Sequence, residues 1–91
     1  MEWKASHILI KERGQAQELL RKVKQGAPFE ALARDYSTCP SKSKGGDLGW
    51  FGEGRMVPQF EAAVKRMGVG SVSELVQTQF GFHIIKLTGR K

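Results

Sequence analysis

The segment from Val72 to Thr88, VSELVQTQFGFHIIKLT, decides the fold of this chain. Two apolar runs rich in Val, Ile and Phe predict two short β-strands, Val72 to Thr78 and Phe82 to Thr88, joined by a tight turn at Gln79-Phe80-Gly81. Parallel strands need a crossover connection of about a dozen residues or more, and this turn is far too short to provide one. The strands must therefore pair antiparallel, which excludes a doubly wound parallel sheet.

The residues before this strand pair predict, in order, a strand, two helices, a second strand and a third helix. The run from Trp3 to Lys11 has the apolar character of a strand. Three apolar stripes at helical spacing mark the helices; they are Ala16, Leu19, Leu20 and Val23, then Phe29, Leu32, Ala33 and Tyr36, then Phe60, Ala63, Val64 and Met67. Gly26 ends the first helix and Pro28 starts the second. Pro58 starts the third helix, and Gly68 and Gly70 end it.

Between the second and third helices the chain becomes polar and then rich in glycine. Ser37 to Lys44 predicts a surface loop with room for one turn of helix. The five glycines between Gly45 and Gly54 are interleaved with apolar residues, which predicts a short strand whose backbone closely approaches another part of the molecule. This stretch is a poor nucleotide-binding loop, because it lacks a Gly-Lys-Ser/Thr ending and no helix follows it directly. The element order indicates an antiparallel α+β fold.

Length and composition indicate one soluble domain covering residues 1–91. A hydrophobic fraction of 40% excludes a disordered chain, and no apolar run approaches the length of a membrane span. The N-terminal residues show no secretory signal, so we expect a cytoplasmic protein without membrane association. The single cysteine, Cys39, cannot form an internal disulfide, which fits a reducing compartment. No apolar stripe is left unassigned, so we expect a monomer.

Other classes of functional site have weak support in the sequence. The net charge of +6 is spread from Lys4 to Lys91, which indicates a solvated surface and leaves nucleic acid as a minor partner. His7, Cys39 and His83 lack the short spacing of metal ligands, so we expect no metal and no other cofactor. Cys39 lies in a polar loop without a helix N-terminus to activate its thiol, which argues against a cysteine protease.

The two histidines lie in strand-like runs at opposite ends of the chain, Ser6 to Ile10 and Phe80 to Ile85. Both runs predict central strands, where a buried imidazole must find hydrogen-bond partners. If the strands are neighbours and share a face, directly opposed Cβ atoms would lie about 4.5 to 5.5 Å apart, and each histidine could serve the other. A single histidine on an apolar strand is more often a satisfied core residue. The pair therefore leaves both a core role and a shared site open.

Five ordered motifs resemble the parvulin family of peptidyl-prolyl cis/trans isomerases over nearly the whole chain. They are Ser6-His7-Ile8-Leu9-Ile10, Cys39-Pro40-Ser41, Gly45-Gly46-Asp47-Leu48-Gly49, Met56-Val57-Pro58-Gln59-Phe60 and Thr78-Gln79-Phe80-Gly81-Phe82-His83-Ile84-Ile85. The resemblance implies a parvulin/FKBP-like α+β fold, with a four-stranded antiparallel sheet wrapped by three to four helices and an active site on the face that carries both histidines. It also implies rotamase activity on proline-containing proteins or peptides, which assists protein folding in the manner of a chaperone.

The same resemblance assigns the site residues. The implied catalytic residues are His7, Cys39, Thr78 and His83, with the two histidines hydrogen-bonded to each other. The implied substrate-binding residues are Leu48, Met56, Gln59 and Phe60, with Gln59 near the substrate backbone. Core packing alone remains the alternative for Phe60. Some parvulins carry Asp at the position of Cys39, so an acceptor or electrostatic role is favoured over attack by the thiol.

The reaction explains why these residue types are suitable. Rotation about a peptide bond has a barrier of about 18 to 20 kcal/mol because resonance must be lost, and no covalent bond is made or broken. The enzyme must therefore bind the twisted amide more tightly than the planar one. An apolar pocket anchors the proline ring and removes water that stabilises the planar amide.

The loop after the first strand bears on the substrate. Parvulins that require a phosphorylated residue before proline carry a long basic loop there, whereas only Lys11-Glu12-Arg13-Gly14 separates strand from helix in this chain. Two cations and an acid make a poor phosphate clamp, so we expect turnover of unphosphorylated segments. Lys42 and Lys44 could favour acidic residues before proline, although solvated loop lysines are the simpler interpretation.

Overall fold

The computed structural model describes residues 1–91 and contains one four-stranded antiparallel sheet with three α-helices. The strands are β1 (Glu2–Ile10), β2 (Asp47–Gly52), β3 (Val76–Thr78) and β4 (Gly81–Arg90). The helices are α1 (Arg13–Lys24), α2 (Phe29–Tyr36) and α3 (Pro58–Arg66), and a short 3₁₀ helix spans Pro40–Lys44. The predicted α+β class, antiparallel sheet and element order are confirmed.

The strand order is β2-β1-β4-β3, so the first and last strands of the chain are the two central strands. In their antiparallel register His7 pairs with Ile85 and Leu9 pairs with His83. The hairpin predicted from residues 72–88 is present, with Thr78 paired to Gly81 across a turn at Gln79 and Phe80. Both histidine-containing runs therefore lie in the middle of the sheet, as predicted.

Helices cover both faces of the sheet. Helices α1 and α2 bury one face; the cluster there contains Ile8, Ile10, Ala16, Leu19, Leu20, Phe29, Ala33 and Ile84. Helix α3 covers the other face; that cluster contains Trp3, Ala5, Phe51, Phe60, Val64, Ile85 and Leu87. Because side chains alternate along a strand, His7 and His83 belong to the face under α3. None of the three helices has the length and hydrophobicity needed to cross a bilayer.

Helix α1 begins earlier than its apolar stripe suggested. The carboxylate of Glu12 accepts a hydrogen bond from the Gln15 backbone N–H at 2.7 Å, which caps the helix and lets it start at Arg13. At the other end Gly26 adopts a φ of 101°, and its N–H donates to the Val23 carbonyl. This left-handed residue terminates the helix as predicted. Only Lys11 and Glu12 remain between β1 and α1.

Two other predicted boundaries were wrong. Strand β3 covers only Val76–Thr78, because the Ser73 hydroxyl accepts the hydrogen bond from the Ile85 N–H at 3.0 Å in place of a backbone carbonyl. Val72 keeps a single isolated bridge to Lys86. Helix α3 ends at Arg66 rather than at Gly68, since Met67 is already extended with a ψ of 148°.

The predicted close backbone approach occurs at Gly46, just before β2. Its carbonyl lies against β1 and accepts the His7 N–H at 2.9 Å, while its own N–H donates to the Ser41 carbonyl at 2.9 Å. A Cβ atom on Gly46 would lie 2.3 Å from the carbonyl oxygen of His7, and the φ of Gly46 is 89°. Only glycine fits here without moving the backbone of the strand that carries His7.

Candidate active site

His7 and His83 lie on adjacent central strands and share one face of the sheet. Their Nδ1 atoms are 2.9 Å apart, and both side chains are buried. They are not directly opposed, since Leu9 is the partner of His83 and Ile85 is the partner of His7. The rings span the longer diagonal between strands instead, stacked with centroids 5.1 Å apart.

A hydrogen-bond chain continues from this pair to the β3–β4 hairpin. The Nε2 atom of His83 is 2.8 Å from the Oγ1 atom of Thr78, and the Phe80 backbone N–H donates to the same Oγ1 at 3.1 Å. Thr78 is buried at the end of β3, so the short hairpin holds its hydroxyl in place. The series of hydrogen bonds ends at His7, whose buried Nε2 atom has no hydrogen-bond partner.

Phe60 of α3 packs against both imidazoles. Its ring makes edge contacts with His7 and His83, with centroid distances of 5.8 and 5.5 Å. The ring is itself supported by Phe51 of β2 at 5.9 Å and is 2% exposed. Phe60 therefore belongs to the core and to the lining of the histidine site at the same time, so the two roles suggested by the sequence are not exclusive.

Burial determines the charge of the histidine pair. Desolvation lowers the pKa of His83 from 6.5 to about 4, and desolvation together with the neighbouring His83 lowers the pKa of His7 to about 4. Both rings are therefore neutral at pH 7. Only one of the two facing Nδ1 atoms carries a proton, because a hydrogen bond between them needs one donor and one acceptor.

The histidine pair lines an apolar cavity of about 220 Å³. The lining residues are His7, Cys39, Leu48, Arg55, Met56, Val57, Phe60 and His83. This set includes six of the eight site residues predicted from the sequence. Thr78 reaches the cavity only through its hydrogen bond to His83.

Gln59 is the one predicted site residue that the structure places apart from the rest. It lies in the first turn of α3, is exposed, and does not line the cavity. Val57, the extended residue before the helix, occupies the lining instead, together with Arg55. Sequence reasoning missed both; the available signal was their position beside Met56, ahead of the helix start at Pro58.

Cys39 is held at the cavity by a small polar clamp. The Ser37 hydroxyl accepts hydrogen bonds from the Leu9 N–H at 3.0 Å and from the Cys39 N–H at 3.3 Å. The Thr38 N–H donates to the Leu9 carbonyl at 2.8 Å. These bonds fasten the segment after α2 to β1 and place the half-buried thiol beside the histidines. The expected polar loop continues as the 3₁₀ helix that begins at Pro40.

Two other depressions lack this combination of groups. A groove of about 580 Å³ runs along α1 and is lined mainly by polar and charged residues; they are Arg13, Gln17, Leu20, Arg21, Lys24, Glu74 and Leu75. A smaller depression of about 240 Å³ has no apolar lining residue; it contains Lys4, Ser6, Glu30, Lys44, Asp47 and Thr88. Only the 220 Å³ cavity joins an apolar wall to buried polar rings. We assign it as the candidate active site.

Comparison with known proteins identifies the class. Residues 1–91 match the family described as the PPIC-type PPIASE domain, and the chain belongs to that family. It is therefore a peptidyl-prolyl cis/trans isomerase domain of the parvulin type, which confirms the resemblance seen in the sequence motifs.

The relatives are foldases and small parvulins. The chain is 49% identical over 89 residues to the foldase protein PrsA of Geobacillus kaustophilus, a match that covers 97% of this chain and 32% of the relative. The structure of PrsA from Bacillus anthracis matches with a TM-score of 0.97 at 49% identity, over 99% of this chain and 42% of that one. NmPin, the parvuline of Nitrosopumilus maritimus, matches with a TM-score of 0.85 at 42% identity, over 97% and 96% of the two chains. The chain thus spans about a third of the length of the curated PrsA relative and nearly all of the small parvulin.

Proposed function

We propose that this domain accelerates rotation about Xaa-Pro bonds in unphosphorylated protein segments and so assists folding, by stabilising the twisted amide without covalent chemistry. The observation that carries the proposal is the buried chain from Thr78 through His83 to His7, which ends at an apolar cavity. Family membership supplies the reaction, and this arrangement supports the mechanism. The relatives named as foldases support the role in folding.

The cavity wall supplies the grip on proline. Leu48, Met56, Val57 and Phe60 present apolar atoms around a space of about 220 Å³. An apolar wall holds the proline ring through the hydrophobic effect while the other side of the amide turns. It also excludes water that would stabilise the planar, polar ground state. Both effects lower the barrier without any exchange of bonds.

The proposed mechanism assigns one order of protons along the hydrogen-bond chain. The Thr78 hydroxyl accepts from the Phe80 N–H, and in this assignment it donates its own proton to the Nε2 atom of His83. That leaves the second proton of His83 on Nδ1, from which it is donated to the Nδ1 atom of His7. His7 then carries its proton on the unpartnered Nε2 atom. Because this N–H is buried beside the cavity, it acts on a bound peptide through its dipole.

Cys39 acts in this proposal through its polarity. The thiol lies at the cavity beside two neutral imidazoles, so neither ring carries the charge that would stabilise a thiolate as a partner ion. A weak acceptor there shapes the field around the rotating carbonyl, as a carboxylate at the same position also would. The family resemblance at this position supports the same role, because some parvulins carry Asp there.

The absence of a phosphate clamp supports unphosphorylated substrates. Only two residues separate β1 from α1, and the carboxylate of Glu12 is engaged in capping the helix. Arg13, one of the two cations of the predicted loop, lines the groove along α1 rather than the cavity. Bidentate recognition of a phosphate needs cations that converge on one point.

The test is cis/trans exchange measured by NMR in a set of unphosphorylated Ala-Xaa-Pro-Ala peptides with catalytic amounts of protein. The comparison variant is His7→Ala combined with His83→Ala, and Arg66→Gln on the exposed end of α3 is the matched control. We expect acceleration by the wild type and by the control, and a loss of at least about 100-fold in the double variant, since the whole polar chain is removed. A folded double variant with full activity would contradict the proposed site.

The same experiment addresses the remaining alternatives. Shifted resonances without acceleration would indicate a proline-binding module, and a rate preference above tenfold for a phosphoserine peptide over its Glu counterpart would contradict the substrate assignment. Binding to nucleic acid, if present, would fall steeply with salt and survive the histidine changes. Monomeric state and cytoplasmic location stay predictions, which sedimentation and cell fractionation would check.

A further inference from the structure

Arg55 is the one charged residue in the lining of the active-site cavity at neutral pH. Four of the other lining residues are apolar, Cys39 is polar, and burial keeps His7 and His83 neutral. No acidic side chain lines the cavity. A guanidinium at the mouth of an otherwise uncharged pocket acts on whatever charge a bound peptide brings beside the proline.

The acidic residues nearest to Arg55 in the sequence are already engaged. Glu61 pairs with Lys65 at 3.1 Å and accepts the Gly54 N–H at 2.7 Å, while Glu53 is 4.0 Å from Lys65. Arg55 itself is exposed and forms neither an ion pair nor a side-chain hydrogen bond. Its five N–H donors are therefore free for a ligand.

The lysines that the sequence suggested for this role are placed elsewhere. Lys44 lines the separate polar depression, where it faces Glu30 and Asp47. Lys42 is exposed on the 3₁₀ helix and lines no depression. The charge that lines the active-site cavity comes instead from Arg55, in the segment between β2 and α3.

We propose that Arg55 is a specificity-determining residue that selects peptides with a carboxylate side chain directly next to the proline. The inference rests on the proposed function, because it assumes that the cavity holds the proline ring. A planar guanidinium matches a carboxylate with two parallel hydrogen bonds, which a lysine cannot do. Lys or Arg next to the proline meets repulsion at the same point.

The expected effect is moderate because Arg55 is exposed. Solvent-exposed ion pairs change binding by small factors that salt reduces. We expect kcat/KM for a Glu-containing peptide to exceed that of its Lys counterpart by about tenfold in dilute buffer, and the ratio to fall to about twofold in 0.5 M NaCl. A purely steric preference would not depend on salt.

The experiment measures cis/trans exchange in Ala-Xaa-Pro-Ala and Ala-Pro-Xaa-Ala peptides, with Glu, Gln or Lys at Xaa. Arg55→Gln should bring the Glu/Lys ratio near one at the responsive position, and Arg55→Glu should invert it. Arg66→Gln removes another exposed arginine, from α3, and should leave the ratio unchanged. If Arg55 had only a structural role, Arg55→Glu would not invert the Glu/Lys ratio.

The outcomes separate this inference from the proposed function. If the wild type accelerates the Gln peptides but shows no Glu/Lys preference at either position, the selectivity is overturned and the isomerase mechanism stands. The inference is also wrong if the preference survives in Arg55→Gln or is lost in Arg66→Gln. If no peptide of the set is accelerated, both proposals fail together.

Discussion

At the scale of single residues, the site depends on polar side chains whose burial costs free energy but places hydrogen-bonding groups beside the cavity. His7 ends the hydrogen-bond chain with a buried Nε2 atom that has no partner, a condition that usually lowers stability. Its ring packs against Phe60 and the neutral His83, and its charged form is suppressed because burial lowers its pKa to about 4. A neutral imidazole beside an apolar cavity can act on a bound amide through its dipole. A charged imidazole would instead draw water into the cavity.

A substitution at Cys39 tests whether polarity or nucleophilicity matters. We expect Cys39→Asp to retain at least about a tenth of the wild-type kcat/KM, because a carboxylate can replace the thiol as an acceptor at the cavity. Cys39→Ala, which removes the acceptor, is the matched variant and should be slower than Cys39→Asp. The measurement is peptide exchange at pH 7, with circular dichroism to verify folding. Complete loss of activity in a folded Cys39→Asp variant would indicate a covalent role.

At the scale of secondary-structure elements, the site is held by backbone contacts that surround β1. The Gly46 carbonyl accepts the N–H of His7, and the Ser37 hydroxyl and the Thr38 N–H bind the backbone of Leu9. Two segments on either side of the 3₁₀ helix, both far from β1 in sequence, therefore fix the same short piece of strand. The position of the first histidine depends on these contacts as much as on its pairing with β4.

Two glycines allow this contact to be tested. Gly46 and Gly49 both have positive φ, but a Cβ on Gly46 would collide with the His7 carbonyl whereas a Cβ on Gly49 meets no atom within 4 Å. Gly49→Ala should lower the free energy of unfolding by about 1 kcal/mol through backbone strain alone. Gly46→Ala should lower it by about 3 kcal/mol or more and reduce activity, because β1 must move. Urea unfolding measures both, and equal effects would show that the contact at Gly46 is unimportant.

At the scale of the whole molecule, the two faces of the sheet differ: one contributes only to the core, and the other also carries the candidate active site. The face under α1 and α2 is entirely apolar at its centre, whereas the face under α3 combines an apolar cluster with both histidines. The resulting buried imidazoles make overall stability depend on pH. Unfolding exposes them to water and restores their ordinary pKa of about 6.5.

We expect stability to fall as the pH is lowered from about 6.5 toward 5. The folded pKa of each histidine is about 4, so in this window the unfolded chain binds more protons than the folded one. The slope approaches about 1.4 kcal/mol per pH unit for each histidine. Glu18 and Glu61 also have lowered pKa values, but as acids they affect stability only below their ordinary value of 4.5.

Urea denaturation at several pH values between 7 and 5 measures this slope. Combining His7→Gln with His83→Gln removes the titrating groups and should flatten the profile in that range. A wild-type profile that is already flat, or a variant with the same slope, would show that the histidines are not neutralised by burial.

The sequence predicted the sheet from local patterns, and the family resemblance pointed to six residues that the structure brings together at one cavity. The short turn at Gln79-Phe80-Gly81 required antiparallel strands, and the motif order identified the family. The features that were missed depend on three-dimensional placement. Arg55 and Val57 lie in a loop without periodicity, so only the packed structure shows which way their side chains face. The shortened β3 depends on one Ser73 hydroxyl replacing a carbonyl, which no hydropathy pattern records.

The strand order has a consequence for folding during synthesis on the ribosome. The two histidines are 76 residues apart, and the strand that carries the second one is the last element of the chain. Neither central strand has its main partner until that segment has left the exit tunnel, so the sheet and the site must form together after translation of this domain is nearly complete. An incomplete nascent chain therefore carries helices but no complete isomerase site. The domain gains its activity in a single late step.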